Sequence, residues 1–415
     1  AFAAGIGSML GSGIIVGLSA TIVVWQEGLG LDTTQVGLLS GILTFAIAFG
    51  SLFGGRLADK IGRVLFFNWI NLFYAIGAAI CVFAPNFTVL LIGLIIAGLA
   101  SGADLPVSMT IVSHDAPDEA TAAQLVSTTQ VFWQVGVFIS FICAFLVSAM
   151  QGATGGRVVF AILTVFAVTA WLWRLLSPTF RRFHEAADVR DAARPAVVGN
   201  GKVSVTKVLF GADKKVLLTY FLAIVIFYVG WNLLANTWGQ FQTYMFSKAG
   251  AAQSLATGLG IILNFVTLVL NIVFASIAGG KYRNKAFFAG IVISLIAMAA
   301  MAMGGANLWV IVGATAFMNL GSPLAGEALY KVWTQESFPI EIRASIQGFI
   351  NGFSRLCCGL FALITPALVL PETIQTTMWC FFGIVIIEGI AGTIMIRAQK
   401  KYGTDEERQA HKIAA

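Results

Sequence analysis

What most constrains this chain is a single charged stretch, Arg174 to Lys215, lying between two long apolar regions. Each region breaks into runs of about 20 apolar residues, the length a helix needs to cross the hydrocarbon core of a bilayer. No water reaches that core, so backbone groups must pair within their own segment or within a closed barrel. The runs lack the short alternation of barrel strands and are read as helices. Across 415 residues the chain is 58% hydrophobic and 11% charged, against roughly 25% charge in soluble domains, which excludes a soluble helical protein.

The expected fold class is an all-α membrane protein with twelve transmembrane helices in two six-helix bundles. Spans 1 to 6 are expected at residues 4–26, 35–58, 63–84, 87–112, 121–149 and 157–175. Spans 7 to 12 are expected at 216–246, 252–278, 285–304, 307–333, 344–369 and 374–398. The domains are then an N-terminal bundle (1–175), a linker (176–215), a C-terminal bundle (216–398) and a tail (399–415).

Positive charge sets the orientation. Arg56, Lys60 and Arg63 lie between spans 2 and 3, nine Lys or Arg between Arg174 and Lys215, three between Lys281 and Lys285, and five after Ile396. The opposite loops offer only Arg157 and Lys248, so both termini and the linker are expected on the cytoplasmic side of a plasma membrane. The net charge of +6 therefore reports topology and no nucleic-acid partner is expected. Within the linker, Phe180 to Arg194 reads either as a surface helix or as a solvated connector, and Pro195 to Gly201 as a turn. The first apolar segment has no basic region before it, so no cleavable signal is expected. Cys81, Cys143, Cys357, Cys358 and Cys380 sit in apolar windows without metal-ligand spacing.

The halves repeat weakly at a spacing near 222 residues. His114-Asp-Ala-Pro117 ends span 4 and Glu336-Ser-Phe-Pro339 ends span 10, with Arg63 and Lys285 at matching positions. Pseudo-symmetry of this kind marks transporters that present one central site alternately to each side.

The loop Gly55-Arg-Leu-Ala-Asp59-Lys-Ile-Gly62-Arg63 resembles the signature loop of the major facilitator superfamily, departing from it at Val64. Gly55 permits close helix approach, and Asp59 can accept hydrogen bonds at a helix terminus and pair with Arg63 or another basic group. Trp333-x-x-Glu336-x-Phe338-Pro339-x-x-x-Arg343, and Ser177-Pro178 with Arg181 and Arg182, are similar to the sugar porter branch and its polyol relatives. The loops after spans 4 and 8 depart from that branch, at Thr121-Ala122 and at Gly280-Lys-Tyr-Arg-Asn-Lys285. The resemblance implies gating roles for Gly55, Asp59, Gly62, Arg63, Glu336 and Arg343. Span 5 lacks the Gly-Pro ending that resembles antiporters, which implies symport or uniport.

Ionisable residues inside spans are costly unless they face a cavity or a partner. Asp104, Glu327, Lys331, Arg355 and Glu388 are such residues. Asp104 lies about 14 residues, or about 21 Å, beyond Leu90 and next to Pro106. Asp104 and Glu327 are the candidates for proton coupling; the alternative for Asp104 is an ion pair that locks the bundle. Glu327 and Lys331 share a helix face four residues apart. Arg355 has no acid within four residues and must find a partner on another helix or on an acidic solute. Glu388 belongs to a helix that is peripheral in the resembled family and reads as structural.

Amides and aromatics complete the candidate solute site: Gln130, Trp133 and Gln134 in span 5, Trp231, Asn232, Asn236 and Gln240 in span 7, Asn264 in span 8 and Asn319 in span 10. Asn232, Asn236 and Gln240 recur every four residues, giving span 7 one polar face. Amides suit hydroxyl groups, and aromatic planes suit the C–H face of a ring. Trp25 and Trp309, near span ends, read as interface anchors.

These features point to a secondary transporter that takes up a sugar, polyol or sugar derivative with protons. The alternatives are an importer of organic acids or acidic sugar derivatives with Arg355 as anion clamp, and a non-transporting sensor. The expected partners are the solute, protons and the bilayer, for a monomeric chain. No catalytic residue, metal or cofactor is expected, because no nucleophile–base pair, phosphate loop or metal cluster is present in the sequence.

Overall fold

The computed structural model describes residues 2–115, 119–177, 205–211, 213–277, 282–405 and 407–408, with Arg182 and Glu185. Among the described residues there is no strand. The helices are α1 (Phe2–Leu29), α2 (Thr33–Ile61), α3 (Arg63–Val82), α4 (Phe87–Asp115), α5 (Glu119–Leu146), α6 (Thr154–Leu176) and the short α7 (Val205–Leu209). They continue with α8 (Lys214–Lys248), α9 (Gln253–Ile277), α10 (Arg283–Gly304), α11 (Leu308–Gly321), α12 (Glu327–Ser337), α13 (Ile340–Leu368) and α14 (Ile374–Tyr402). Among the described residues 10 helices are long and apolar enough to cross a membrane, and Phe132–Leu146 of α5 and Leu308–Gly321 are shorter apolar helices. Every expected span therefore has its helix. The surface helix considered for Phe180 to Arg194 lies outside the described residues apart from Arg182 and Glu185.

The tenth span departs from expectation, because it is two helices rather than one. α11 ends at Gly321, Ser322 to Gly326 form a turn, and α12 starts at Glu327. Pro323 supplies no N–H to continue the ladder; Ser322 before it keeps helical dihedrals, and the backbone leaves the helical path at Gly326, with φ −143° and ψ −145°. Polar caps set other ends. Asp32 Oδ1 accepts from the Gln35 N–H at 2.7 Å while Gln35 Oε1 accepts from the Asp32 N–H at 3.0 Å. Asn307 Oδ1 caps α11 by accepting from Trp309 and Val310. Between α2 and α3, Gly62 takes φ +106°, a conformation that suits glycine.

The chain divides into two compact units. The first comprises Ala1–Ala196, Gly239–Ile261 and Gly359–Ala367, and the second Val197–Trp238, Ile262–Cys358 and Leu368–Ala415. In the first, α1 packs on α4, α5 and α6, α2 on α4, and α3 on α4 and α6. Val16 and Ala20 of α1 form a buried cluster with Val137, Phe141 and Ala144 of α5, covered by Trp133 and Ile261. α2 and α4 approach closely because Gly50 and Gly102 lack side chains: a Cβ at either would overlap the backbone of the facing helix. Trp25, expected at the membrane interface, is instead fully buried, edge-on to Phe160 with ring centroids 5.9 Å apart. Trp309 is exposed. In the second unit α10 packs on α11 and α14, and Phe227, Phe287 and Trp333 form an edge-to-face cluster.

Candidate functional site

Helix α8 carries the aromatic part of the site in the second unit. Tyr228 stacks on Trp231, with ring centroids 5.7 Å apart, and on Tyr330 of α12 at 3.9 Å. The Trp231 indole N–H donates to Ser322 Oγ at 2.9 Å and to the Ser322 carbonyl at 3.3 Å, so the break between α11 and α12 fixes the ring. One residue on, Asn232 Nδ2 donates to Ser354 Oγ of α13 at 2.9 Å. The result is an aromatic stack in which Tyr228 and Tyr330 are buried and half-buried Trp231 stands beside the Asn232 amide and the Ser322 and Ser354 hydroxyls.

Charge borders the same wall. Lys331 Nζ stands 2.9 Å from Glu327 Oε1, with side chains 37% and 46% exposed, as the four-residue spacing requires. Arg355 acts electrostatically on Glu327, Tyr228 and Tyr330. It has no hydrogen bond or ion pair among the described residues. Asn351 Oδ1, one turn earlier on α13, is buried without a partner. Asn319 Nδ2 donates to the Leu263 carbonyl of α9 at 3.1 Å, while Asn236 and Asn264 also have partners. The sequence missed Tyr330 and Ser354 in this wall, since only folding brings α12 and α13 against α8.

In the first unit Gln240 Nε2 donates to Thr44 Oγ1 of α2 at 2.8 Å, and that hydroxyl donates to the Ser40 carbonyl at 2.9 Å. Gln242 is buried and its Nε2 has no partner. Trp133 lies half-buried, its carbonyl accepting from Ser12 Oγ at 2.7 Å, and Gln134 is half-buried beside it. The side chain of Gln130 lies outside the described residues, as do those of Asp59, Arg63 and Arg343.

Asp104 meets a partner that the sequence reading placed elsewhere. Arg174, counted with the linker, is buried in the last turn of α6. It donates from Nη1 to Asp104 Oδ1 at 2.7 Å and from Nη2 to Asp104 Oδ2 at 3.1 Å. Ser108 Oγ donates to Asp104 Oδ1 at 2.9 Å, and the Phe67 carbonyl accepts from Arg174 Nη1 at 3.0 Å. Only the Cα of Gly7 leaves room for the carboxylate against α1. In the second unit Glu336 Oε1 lies 2.7 Å from Arg283 Nη1, and its other oxygen accepts from Gln399 Nε2 at 3.2 Å.

Two helical units whose long apolar helices carry inward amides, stacked aromatics and paired charges define a multi-pass membrane transporter. The profile described as Major Facilitator Superfamily matches residues 1–362. The chain belongs to the major facilitator superfamily; it is a transporter and not an enzyme. It is 30% identical over 407 residues to the minor myo-inositol transporter IolF of Bacillus subtilis (strain 168), covering 94% of this chain and 89% of that one. A probable polyol transporter 4 of Arabidopsis thaliana is 28% identical over 145 residues, 35% of this chain and 27% of that one. Among solved structures, a D-xylose-proton symporter superposes with a TM-score of 0.75 at 14% identity, covering 95% and 96% of the two chains. The inward-open xylose transporter XylE from E. coli gives 0.74 at 14% identity, covering 99% and 98%. At such identity these two structures speak for the fold alone.

Proposed function

We propose that the chain is a proton-coupled symporter of a polyol or sugar, with cyclitols of the inositol type as the first solutes to test. The observation that carries this reading is the 30% identity to a myo-inositol transporter along 94% of the chain. The chemistry of the site supports it. Trp231 offers a plane for the C–H face of a ring, and Asn232, Asn236, Gln240, Asn264, Asn319, Gln130 and Gln134 offer amides for hydroxyls, with Trp133 as a second plane. Asp104 and Glu327 each hold a cation here and in this reading exchange it for a proton. Gly55, Asp59, Gly62, Arg63, Glu336 and Arg343 form the gating loops. The distribution of Lys and Arg supports a cytoplasmic position for both termini in the cell membrane, and in this reading the chain acts as a monomer.

A second reading rests on Arg355, which has no ion-pair partner among the described residues. A guanidinium so placed suits a carboxylate, so uronates and other acidic sugar derivatives are its solutes. A thermal-shift screen of purified wild type and R355Q against inositols, neutral sugars, polyols, uronates and organic acids separates the two. A neutral cyclitol that stabilises both proteins equally supports the first reading. Stabilisation by anions alone, lost in R355Q, replaces it with the second.

A further inference from the structure

Asp104 and Glu327 each hold a cation, but Glu388 does not. It lies in the middle of α14, 3% exposed, with Oε1 buried and unpartnered. No hydrogen bond or ion pair reaches its carboxyl among the described residues. The neighbouring elements are apolar where they meet it. Gly230 of α8 lies directly against it, since a Cβ there would stand 2.8 Å from Glu388 Cγ and 3.2 Å from Oε1. On α14 the next residue, Gly389, admits Ile291 of α10, and Gly392, one turn on, admits Phe287.

The charged groups of these helices stand toward their ends: Lys214, Lys215 and Lys248 on α8, Arg283 and Lys285 on α10, and Arg397, Lys400 and Lys401 on α14. None of them acts on Glu388, nor do Tyr228 on α8, Glu327, Tyr330 and Lys331 on α12, or Arg355 on α13. With Oε1 shut away and no cation beside it, an ionised carboxylate in such surroundings is costly, whereas the neutral acid loses far less on burial.

What covers it is the turn of α8 that carries Trp231 and Asn232. We infer that Glu388 is a proton-binding site whose occupancy follows the position of α8: covered by Gly230 it keeps its proton, and exposed to water by a shift of α8 it releases it. In the release the O–H bond breaks, the electron pair stays on the carboxylate and the proton passes to water on the side that has opened. Solute contact with Trp231 and proton binding at Glu388 are then read by one helix from two of its faces. This rests on the symport reading above and adds a carrier to it that pairs with no cation.

The test compares wild type, E388Q and E388D by infrared spectroscopy and in proteoliposomes with myo-inositol. Gln matches the neutral acid in shape, so E388Q should fold and melt like wild type. At neutral pH the wild type is expected to show a protonated-carboxyl C=O band that E388Q loses and E388D restores at a shifted frequency. E388Q is expected to exchange internal for external inositol while losing accumulation driven by a pH gradient. A band unchanged by E388Q means that Glu388 is ionised and overturns the inference. So does undiminished pH-driven accumulation in E388Q when the wild type carries protons with inositol. A wild type that moves inositol without protons instead overturns the symport reading and the coupling role with it, and the infrared band still decides whether Glu388 is protonated. Should E388Q fail to fold, the E388D band and its accumulation decide alone.

Discussion

Asp104 of α4 and Arg174 of α6, 70 residues apart, meet in a two-pronged ion pair at 2.7 and 3.1 Å with both side chains shut off from solvent. The guanidinium also lies 3.8 Å over the Phe67 ring and donates to the Phe67 carbonyl, so one pair ties α3, α4 and α6 together. Removing one charge leaves the other buried and unpaired, which costs about 3–5 kcal/mol. D104N and R174Q are each expected to lower the melting temperature in detergent by that order. The double variant should recover much of the loss, because no charge is then left alone. Single variants that melt like wild type would show that water reaches the pair.

Gly7 of α1 is part of the same arrangement. A Cβ at this position would overlap Asp104 Oδ2 and stand 2.8 Å from Arg174 Nη2. G7A is expected to destabilise by about 1–3 kcal/mol, as overpacking does. G313A in α11 is the control: nothing lies within 4 Å of its Cβ, and alanine is the better helix former there. In a D104A background G7A should lose most of its effect, since the atom it strikes is gone.

At Glu336 stability and transport should separate. The Arg283–Glu336 pair is 2.7 Å long with side chains 16% and 31% exposed, so solvent screens it and E336Q should cost less than about 1 kcal/mol in thermal melting. Yet Glu336 joins α10 to α12 and, through Gln399, to α14. If this corner gates transport, E336Q slows proton-driven uptake several-fold in proteoliposomes while barely moving the melting temperature. Equal uptake by both proteins would mark the pair as a surface contact only.

The sequence exposed the helices because a bilayer forces a physical length on them, and the apolar runs of about 20 residues became helix, the tenth in two pieces. It exposed the pairing of Glu327 with Lys331 because four-residue spacing is local. It misassigned Arg174 because a positive charge at the end of a span reads as a topology signal, and only packing carries it inward to Asp104. Trp25 was misread for a related reason: its place near a span end says nothing of Gly156, whose missing side chain lets the indole sink against α6. Window hydropathy also passed over Pro323 and Gly326, although these residues split the tenth span. The stacked face of Tyr228, Trp231 and Tyr330 joins residues about 100 positions apart in sequence, beyond any local pattern.

That face depends on the split. A Cβ on Gly326 would overlap the Ser322 carbonyl and stand 2.6 Å from Trp231 Nε1, the atom whose hydrogen bonds to Ser322 orient the indole. G326A should therefore displace Trp231 and leave its N–H without a partner, while α11 and α12 remain helical. Losing that anchor is worth about 1–3 kcal/mol, roughly a fivefold to 150-fold weaker Kd if the plane binds solute. Isothermal titration of the variant with whichever cyclitol stabilises the wild type reads this directly. W231F serves as the comparison, because it keeps an aromatic plane but has no N–H to orient it. Weakened binding in both variants, with helical content unchanged by circular dichroism, places Trp231 against the solute. Wild-type affinity in G326A moves the solute away from Trp231 and its hydrogen bonds to Ser322.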